Sequence, residues 1–206
     1  MPGKRMRDRL RVGEARLYLV LEGRDAAVLE PALRGGVDVV QLRDKELPDD
    51  ELVRAAEPFS RACRAHGALF ILNDRPDLVA ACRADGVHVG QSDASVAEAR
   101  AIVGPDAIVG LSIETEEQLD AIDGADYLGV TVFGTPTKTD AQPGGLELVR
   151  AAAARVTIPW FAIGGIDLAN VGEVVAAGAP GVAVVRAIRD AGDPEAAARE
   201  LRRHVG

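Results

Sequence analysis

The 206-residue chain predicts a single-domain α/β fold, a (β/α)8 barrel. Three observations carry this reading. A short apolar run, then a polar or glycine-bearing turn, then an Ala/Leu/Arg/Glu-rich stretch with helical spacing recurs along the chain, and eight alternations imply a parallel sheet. The runs are nearly continuous in apolar residues, as in Ile108-Val109-Gly110-Leu111, which suits strands covered on both faces. No GxGxxG follows the first run, so the doubly wound dinucleotide-binding sheet lacks its fingerprint.

The expected strands are Arg16–Leu21, Val37–Leu42, Ala68–Leu72, Gly86–Val89, Ala107–Leu111, Tyr127–Val130, Trp160–Ile163 and Gly181–Val185. Helices are expected over Asp49–His66, Pro76–Arg83, Val96–Val103, Glu116–Ile122, Leu146–Val156, Leu168–Ala177 and Pro194–His204. Pro48-Asp49-Asp50 reads as a helix start, while Gly67 and Gly178 read as stops. Residues 1–14, with Lys4, Arg5, Arg7, Arg9 and Arg11, form a basic stretch without the apolar segment of a signal peptide. They are expected to be a mobile arm ahead of a barrel over 15–206.

Composition narrows the function. The chain is 48% hydrophobic, 27% charged and only 3% aromatic, so its core must be aliphatic. A net charge of −8 argues against a nucleic-acid partner bound through a broad basic face. No run approaches membrane-spanning length. Cys63 and Cys82 show no metal-ligand spacing and are expected to be reduced and packed, as in a cytoplasmic protein.

On such a barrel the active residues gather where strands end and lead into helices. The second strand ends in Gln41-Leu42-Arg43-Asp44-Lys45. Strand alternation sets Gln41, Arg43 and Lys45 on one side, an amide and two cations fit to hold a phosphorylated ligand. Of 24 basic residues only Lys4, Lys45 and Lys138 are lysine, so a lysine here suggests a preference for a point charge. The third and fourth strands end in Asn73-Asp74-Arg75 and Gly90-Gln91-Ser92-Asp93. Asp74 and Asp93, from neighbouring strand ends, are either helix N-caps or two oxygen ligands for Mg²⁺, which keeps much of its water; as a pair they favour the metal. Ser112 follows the fifth strand, and Thr135-Pro136-Thr137-Lys138 the sixth. Gly164-Gly165 after the seventh and Val185-Arg186 after the eighth occupy the phosphate position of this fold, or else serve as tight turns. His88, between Val87 and Val89, reads as a packed barrel residue rather than a base, and no Ser/His/Asp or Cys/His arrangement is visible.

These strings, in this order, resemble the thiamine phosphate synthase family. The resemblance rests on QLRDK at 41–45, NDR at 73–75, DGVHVGQSD at 85–93, TPTK at 135–138, AIGGI at 162–166 and GVAVV at 181–185. It implies condensation of hydroxymethylpyrimidine diphosphate with a thiazole phosphate, giving thiamine phosphate and pyrophosphate. It further implies that Gln41, Arg43, Lys45, Asn73, Ser112 and Lys138 bind the pyrimidine diphosphate, with Arg43, Lys45 and Lys138 acting on the leaving group. Asp74 and Asp93 would hold Mg²⁺; Thr135, Thr137, Gly165, Val185 and Arg186 would bind the thiazole phosphate.

Three departures stand out. Arg186 replaces a frequent serine, the stretch Gly129–Gly134 is one residue shorter than usual, and Ile113-Glu114 replaces a small residue and a histidine. A thiazole tautomerase on the same scaffold is the nearest alternative, but would not need the whole cation and carboxylate set and would miss the histidine at 114. A sugar-phosphate isomerase or synthase would want an acid/base pair that is not found. A non-catalytic thiamine-precursor binding protein fits the intact set least.

Overall fold

The computed structural model describes residues 11–122, 124–134 and 144–206. Eight parallel strands follow one another around a closed barrel, with β1 pairing β8 to seal it. They are β1 (Leu17–Leu21), β2 (Val39–Leu42), β3 (Leu69–Asn73), β4 (Gly86–Val89), β5 (Ile108–Ile113), β6 (Tyr127–Thr131), β7 (Trp160–Ile163) and β8 (Val182–Val184). The surrounding helices are α1 (Leu29–Arg34), α2 (Asp49–His66), α3 (Val96–Val103), α4 (Gly145–Arg155), α5 (Val171–Ala176), α6 (Arg186–Arg189) and α7 (Pro194–Val205).

The expected barrel is therefore the observed one, and its strands are buried on both faces for a visible reason. Alternate residues such as Leu17, Leu19, Val40, Phe70, Val109 and Leu128 point outward into a core shared with the helices. Their neighbours Tyr18, Val20, Val39, Leu69, Ile71, Ile108, Tyr127 and Phe161 fill the barrel interior. The few bulky interior rings need small residues beside them. A Cβ on Gly110, registered against Tyr127, would lie 2.2 Å from that ring, and one on Gly129 would press on His88 at 3.3 Å. Of the arm expected over residues 1–14, only 11–14 are described. They form a helical turn, and Val12 and Ala15 join the interior cluster.

Local chemistry explains the helix ends. Asp49, Asp50 and Glu51 sit in the first turn of α2, where carboxylates oppose the positive end of the helix dipole. Gly67, at φ 69°, closes that helix in the left-handed conformation. Ser95 and Glu98 form a capping box on α3, and Asp193 caps α7 through Ala196 N–H. Hence neither Asp74 nor Asp93 caps an α-helix.

Three expected helices are corrected. Pro76–Arg83 holds only a 3-10 turn, Pro76–Leu78, and ends at Arg83 with φ 55°. Glu116–Ile122 is a 3-10 turn over Glu117–Asp120, preceded by backbone N–H groups of Glu114 and Thr115 donating to the Gln118 side chain. Leu168–Ala177 shortens to α5, because the Asp167 carboxylate takes the N–H of Ala169 and makes a turn there instead. Two helices were not expected: α1 between β1 and β2, and the single turn α6 after β8.

One device repeats at the floor of the barrel. Asp38, Asp85 and Asp126 each stand immediately before an even-numbered strand, and each carboxylate accepts a backbone N–H from the preceding strand. Asp38 takes those of Arg16 (2.7 Å) and Leu17 (3.0 Å), Asp85 that of Phe70 (3.0 Å), and Asp126 that of Val109 (2.9 Å). Each bond satisfies a donor that the parallel ladder leaves over. Asp126, the most buried of them, also pairs with Arg100.

Asp126→Ala removes the Arg100 ion pair and the Val109 bond, while Arg100 keeps its bonds to the carbonyls of Gly104, Ala107 and Gly124, so it should lower stability by about 1–3 kcal/mol, measured as a shift in the urea midpoint. The thiols give a second check. Burial pushes Cys63 up to about 12 and also raises Cys82. Both are therefore protonated at pH 8, and the thiolate is the reactive form. A thiol reagent at pH 8 should label neither in the native protein and both after unfolding; rapid native labelling would contradict this packing.

Candidate active site

The C-terminal mouth of the barrel holds a cavity of about 960 Å³. From β2, Gln41 points inward and is only 5% exposed. Arg43 donates its backbone N–H to Leu21 O at 2.8 Å, carrying the β1–β2 ladder one residue past the strand. Arg43 and Lys45 both reach the cavity, whereas Asp44 turns the other way. Its carboxylate accepts the backbone N–H of Gly23 (3.2 Å) and of Glu46 (3.4 Å). The alternation expected for the 41–45 string is therefore kept beyond the strand itself, and Asp44 ties the loop to the turn after β1.

Asn73 ends β3, and Asp74 follows with φ 59°, left-handed space that aspartate enters more readily than most residues. Its N–H donates to His88 O at 2.8 Å, while its carboxylate lies 3.1 Å from Lys45 Nζ. Arg75, the last residue of the NDR string, faces away and braces the loop against Asp49 (2.6 Å) and Asp77 (2.8 Å). Asp93 folds back on its own strand end, accepting the N–H of Gly90 at 2.8 Å. A Cβ on Gly90 would lie 2.7 Å from that carboxylate, so glycine there permits the turn.

Asp74 and Asp93 thus converge. Burial, then a hydrogen bond with Asp93 and its charge, raises the Asp74 pKa above the ordinary carboxylate range, against the opposing pull of Lys45. Two carboxylates and a water-accessible cavity form an oxygen donor set suited to a hard divalent cation that keeps several waters. Among the described residues no group of three or more His, Cys, Asp or Glu side chains is arranged for a metal, so any such ion would rest on this pair and on ligand oxygens.

Ser112 lies inside β5, one step beyond the strand end expected, and faces inward with Gly110. A buried polar chain links it across the barrel to Gln41. The Gln41 amide donates to Tyr18 Oη (2.8 Å), Tyr18 Oη meets Tyr127 Oη (2.9 Å), Tyr127 Oη meets His88 Nδ1 (3.0 Å), and His88 Nε2 meets Ser112 Oγ (3.0 Å). Burial raises the pKa of both phenols above the ordinary range, so both stay protonated. His88 is packed against Tyr127 at a ring separation of 5.4 Å, as expected of a barrel residue, yet it also lines the cavity. Tyr18, Tyr127 and Glu114 are further lining residues that strand-end reading missed. The chain's two tyrosines, each within an otherwise aliphatic run, were the available signal.

The opposite wall is made mostly of backbone. Gly164 and Gly165 have φ 106° and 61°, and a Cβ on Gly164 would meet Phe133 O at 2.5 Å. Asn170 donates its side-chain amide to Gly165 O at 2.8 Å, fixing the turn. Val185 precedes α6 and Arg186 opens it; both line the cavity with Gly165. Gln41, Arg43, Lys45, Asn73, Asp74, Asp93, Ser112, Gly165, Val185 and Arg186 are thus brought to one cavity. Thr135, Thr137 and Lys138 lie outside the described residues.

Comparison with known proteins identifies the family. A family model described as thiamine monophosphate synthase matches residues 17–188, from β1 to α6. The thiamine-phosphate synthase of Acidothermus cellulolyticus is 48% identical over 200 residues, covering 92% of this chain and 94% of that protein. That of Synechocystis is 47% identical over 196 residues, covering 93% of this chain, which spans only 57% of the longer Synechocystis protein. The solved structure of thiamine phosphate pyrophosphorylase from Pyrococcus furiosus superposes with a TM-score of 0.85 at 36% identity, covering 95% of this chain and 97% of that one. A closed barrel whose successive strand ends bear these residues, matched from first strand to last, belongs to the thiamine monophosphate synthase family.

Proposed function

We infer that this chain joins hydroxymethylpyrimidine diphosphate to a thiazole phosphate (plain, or carboxylated with loss of CO2) to give thiamine phosphate and pyrophosphate. The observation that carries the reading is the pairing of two unlike anion sites in one cavity. Arg43 and Lys45 stand beside the Asp74/Asp93 pair on one wall, and the Gly164-Gly165 turn stands with Val185-Arg186 on the other. The distribution suits one diphosphate and one monophosphate.

The chemistry asked of the residues is charge stabilisation and alignment. The bond between the pyrimidine methylene and the diphosphate oxygen breaks, its electron pair leaving with the diphosphate. The thiazole nitrogen then supplies the pair that forms the new C–N bond. Arg43 and Lys45 donate to the departing oxygens, with Lys138 assigned the same role by its motif. Such preorganised donors act most strongly where charge develops. Asp74 and Asp93 would hold Mg²⁺, which when bound supplies further charge neutralisation at the diphosphate. Gln41, Asn73 and Ser112 orient the pyrimidine, while Gly165, Val185, Arg186, Thr135 and Thr137 hold the thiazole phosphate. Holding both reactants in line replaces an encounter in solution. No proton need be removed in the bond-forming step, which fits the lack of a recognisable acid/base pair. A thiazole tautomerase would use only one of the two anion sites. Both reactants are charged small molecules, which suits a cytoplasmic enzyme, and among the described residues no helix is long and apolar enough to cross a membrane.

Incubated with both substrates and Mg²⁺, the purified protein should form thiamine phosphate and pyrophosphate in equal amounts. EDTA, or Asp93→Ala, should abolish both products; full turnover without divalent metal would remove the metal assignment. The two walls should also separate kinetically. A charge-assisted hydrogen bond contributes about 1.5–3 kcal/mol, equivalent to roughly 10–150-fold. Lys45→Ala should therefore slow single-turnover pyrophosphate release by about that factor. Arg186→Ala should raise the KM for thiazole phosphate by a similar factor and leave the saturated single-turnover rate in place. The same kinetic change from both variants would contradict the division of the cavity.

A further inference from the structure

Arg75 belongs to the Asn73-Asp74-Arg75 string but does not line the cavity. Its guanidinium makes three hydrogen bonds behind the mouth. Nε and Nη2 fork onto the carboxylate of Asp77 at 3.1 and 2.8 Å, and Nη1 reaches across to Asp49 Oδ1 at 2.6 Å. Asp77 lies in the 3-10 turn Pro76–Leu78 of the same loop, so the fork fixes the plane of the guanidinium and aims its third arm. Arg75 precedes Pro76, which narrows its backbone choices as well. Asp49 is the first residue of α2, at the end of the loop that leaves β2. Beyond the β2–β3 ladder, which pairs Leu42 with Leu72 at its upper end, two ion pairs therefore span the same gap. Lys45–Asp74, at 3.1 Å, lies on the cavity side, and Arg75–Asp49 lies on the outer side. The charges are crossed. The β2 loop supplies the inner cation and the outer anion, and the β3 loop the reverse.

We propose that Arg75 is a positioning residue whose outer clamp on Asp49 sets the spacing of Lys45 and Asp74 on the cavity wall. Lys45 stands between two tethers of its loop, Asp44 on the Gly23 N–H at 3.2 Å and Asp49 on Arg75. Releasing the second frees the segment that carries the ammonium. Asp74 sits directly before Arg75 with φ 59°, and a non-glycine residue stays in that region only where its surroundings over-determine it. Its N–H bond to β4 holds it on one side, and Arg75 holds it on the other. The inner pair does not keep this register by itself. In the proposed function Lys45 turns to the diphosphate oxygens and Asp74 to a cation, so the inner contact is given up on binding. The outer contact touches no ligand and persists. An exposed ion pair adds little to stability, so the effect of the clamp is on geometry. Its kinetic consequence rests on the proposed function, whereas the clamp itself does not.

The first measurement uses no substrate. The only lysines are Lys4, Lys45 and Lys138, so full-length protein labelled with ¹³C,¹⁵N-lysine gives few side-chain NMR signals, and Lys45→Ala identifies the one from Lys45. Asp74→Asn marks where that signal falls once the inner ion pair is lost. Arg75→Gln should move the Lys45 signal to that position with the urea midpoint almost unchanged. So should Asp49→Ala, which cuts the arm between the loops and spares the fork on Asp77. In both variants single-turnover pyrophosphate release should slow by about 10- to 100-fold, the loss expected of a displacement of about 1 Å, while the KM for thiazole phosphate stays constant. Arg75→Gln combined with Lys45→Ala should be little slower than Lys45→Ala alone, because the two residues act as a unit. A Lys45 signal left at its native position in Asp49→Ala overturns the proposal even if Arg75→Gln does not fold. So do rate losses that multiply in full in the double variant. Native protein that forms no thiamine phosphate would sink the enzymatic reading, and the Lys45 signal would still decide the clamp.

Discussion

The site depends on one geometric constraint: a closed parallel barrel with a side-chain period of two. Closure leaves no sheet edge, and the period sends alternate residues of each strand inward at fixed levels. The lower levels, with Val39, Leu69, Ile71 and Ile108, are apolar and tightly filled. At the upper level the inward positions are Gln41, Asn73, His88, Ser112 and Thr131. Tyr18 and Tyr127 bridge the two, placing their rings in the plug and their hydroxyls in the polar chain. Gly110 and Gly129 give up their side chains so that Tyr127 and His88 fit. The packing of the floor thus determines where the first polar atoms of the cavity stand.

Above that floor, the two walls use different physics. On the β2–β4 side the groups proposed to bind anions are charged side chains on short loops, each loop tethered by a polar contact of its own: Asp44 to Gly23, Arg75 to Asp49 and Asp77, Asp93 to Gly90. On the β7–β8 side the structure relies on glycine turns and a helix start. A protein of net charge −8 attracts no polyanion through its overall field, and charges beyond about 8–10 Å are screened at ordinary ionic strength. Local placement of Arg43, Lys45 and Arg186 must therefore do the work. The raised Asp74 pKa expresses the opposing side of the same balance: two carboxylates held together resist ionising unless positive charge sits between them.

Strand order and strand-end chemistry were legible because both follow from local pattern. Apolar runs mark the strands, and the polar residue that terminates each run marks the mouth. Short helices were less legible. Over eight residues or fewer, apolar spacing does not reveal whether a nucleated turn propagates, so Pro76–Arg83 and Glu116–Ile122 read as helices where side-chain bonds and tight connections stop them at one 3-10 turn. Asp93 read as a possible cap because it precedes α3, but Ser95, two residues on, takes that role with Glu98. The left-handed backbone of Asp74 has no sequence signature at a non-glycine position. Tyr18 and Tyr127 escaped because an aromatic residue within an aliphatic strand reads as core, and their contact joins positions 109 residues apart.

The polar chain also bears on acid/base chemistry in the cavity. An imidazole bonded through both nitrogens, to Tyr127 and to Ser112, cannot accept a proton from a ligand without breaking one of those bonds. The buried phenols are held protonated, and the amide of Gln41 does not titrate. Tyr18, Tyr127, His88 and Ser112 are thus held in place by one another, and the two phenols stay protonated. For the proposed transfer, which begins with diphosphate departure, this is an advantage, since a basic group beside a developing carbocation would compete for it as a nucleophile. Charge is concentrated instead on the β2–β4 wall, with Arg43 and Lys45 beside Asp74 and Asp93, and the floor contributes side-chain hydrogen bonds. The separation of a hydrogen-bonded floor from a charged wall follows directly from which residues the barrel turns inward and which the loops carry.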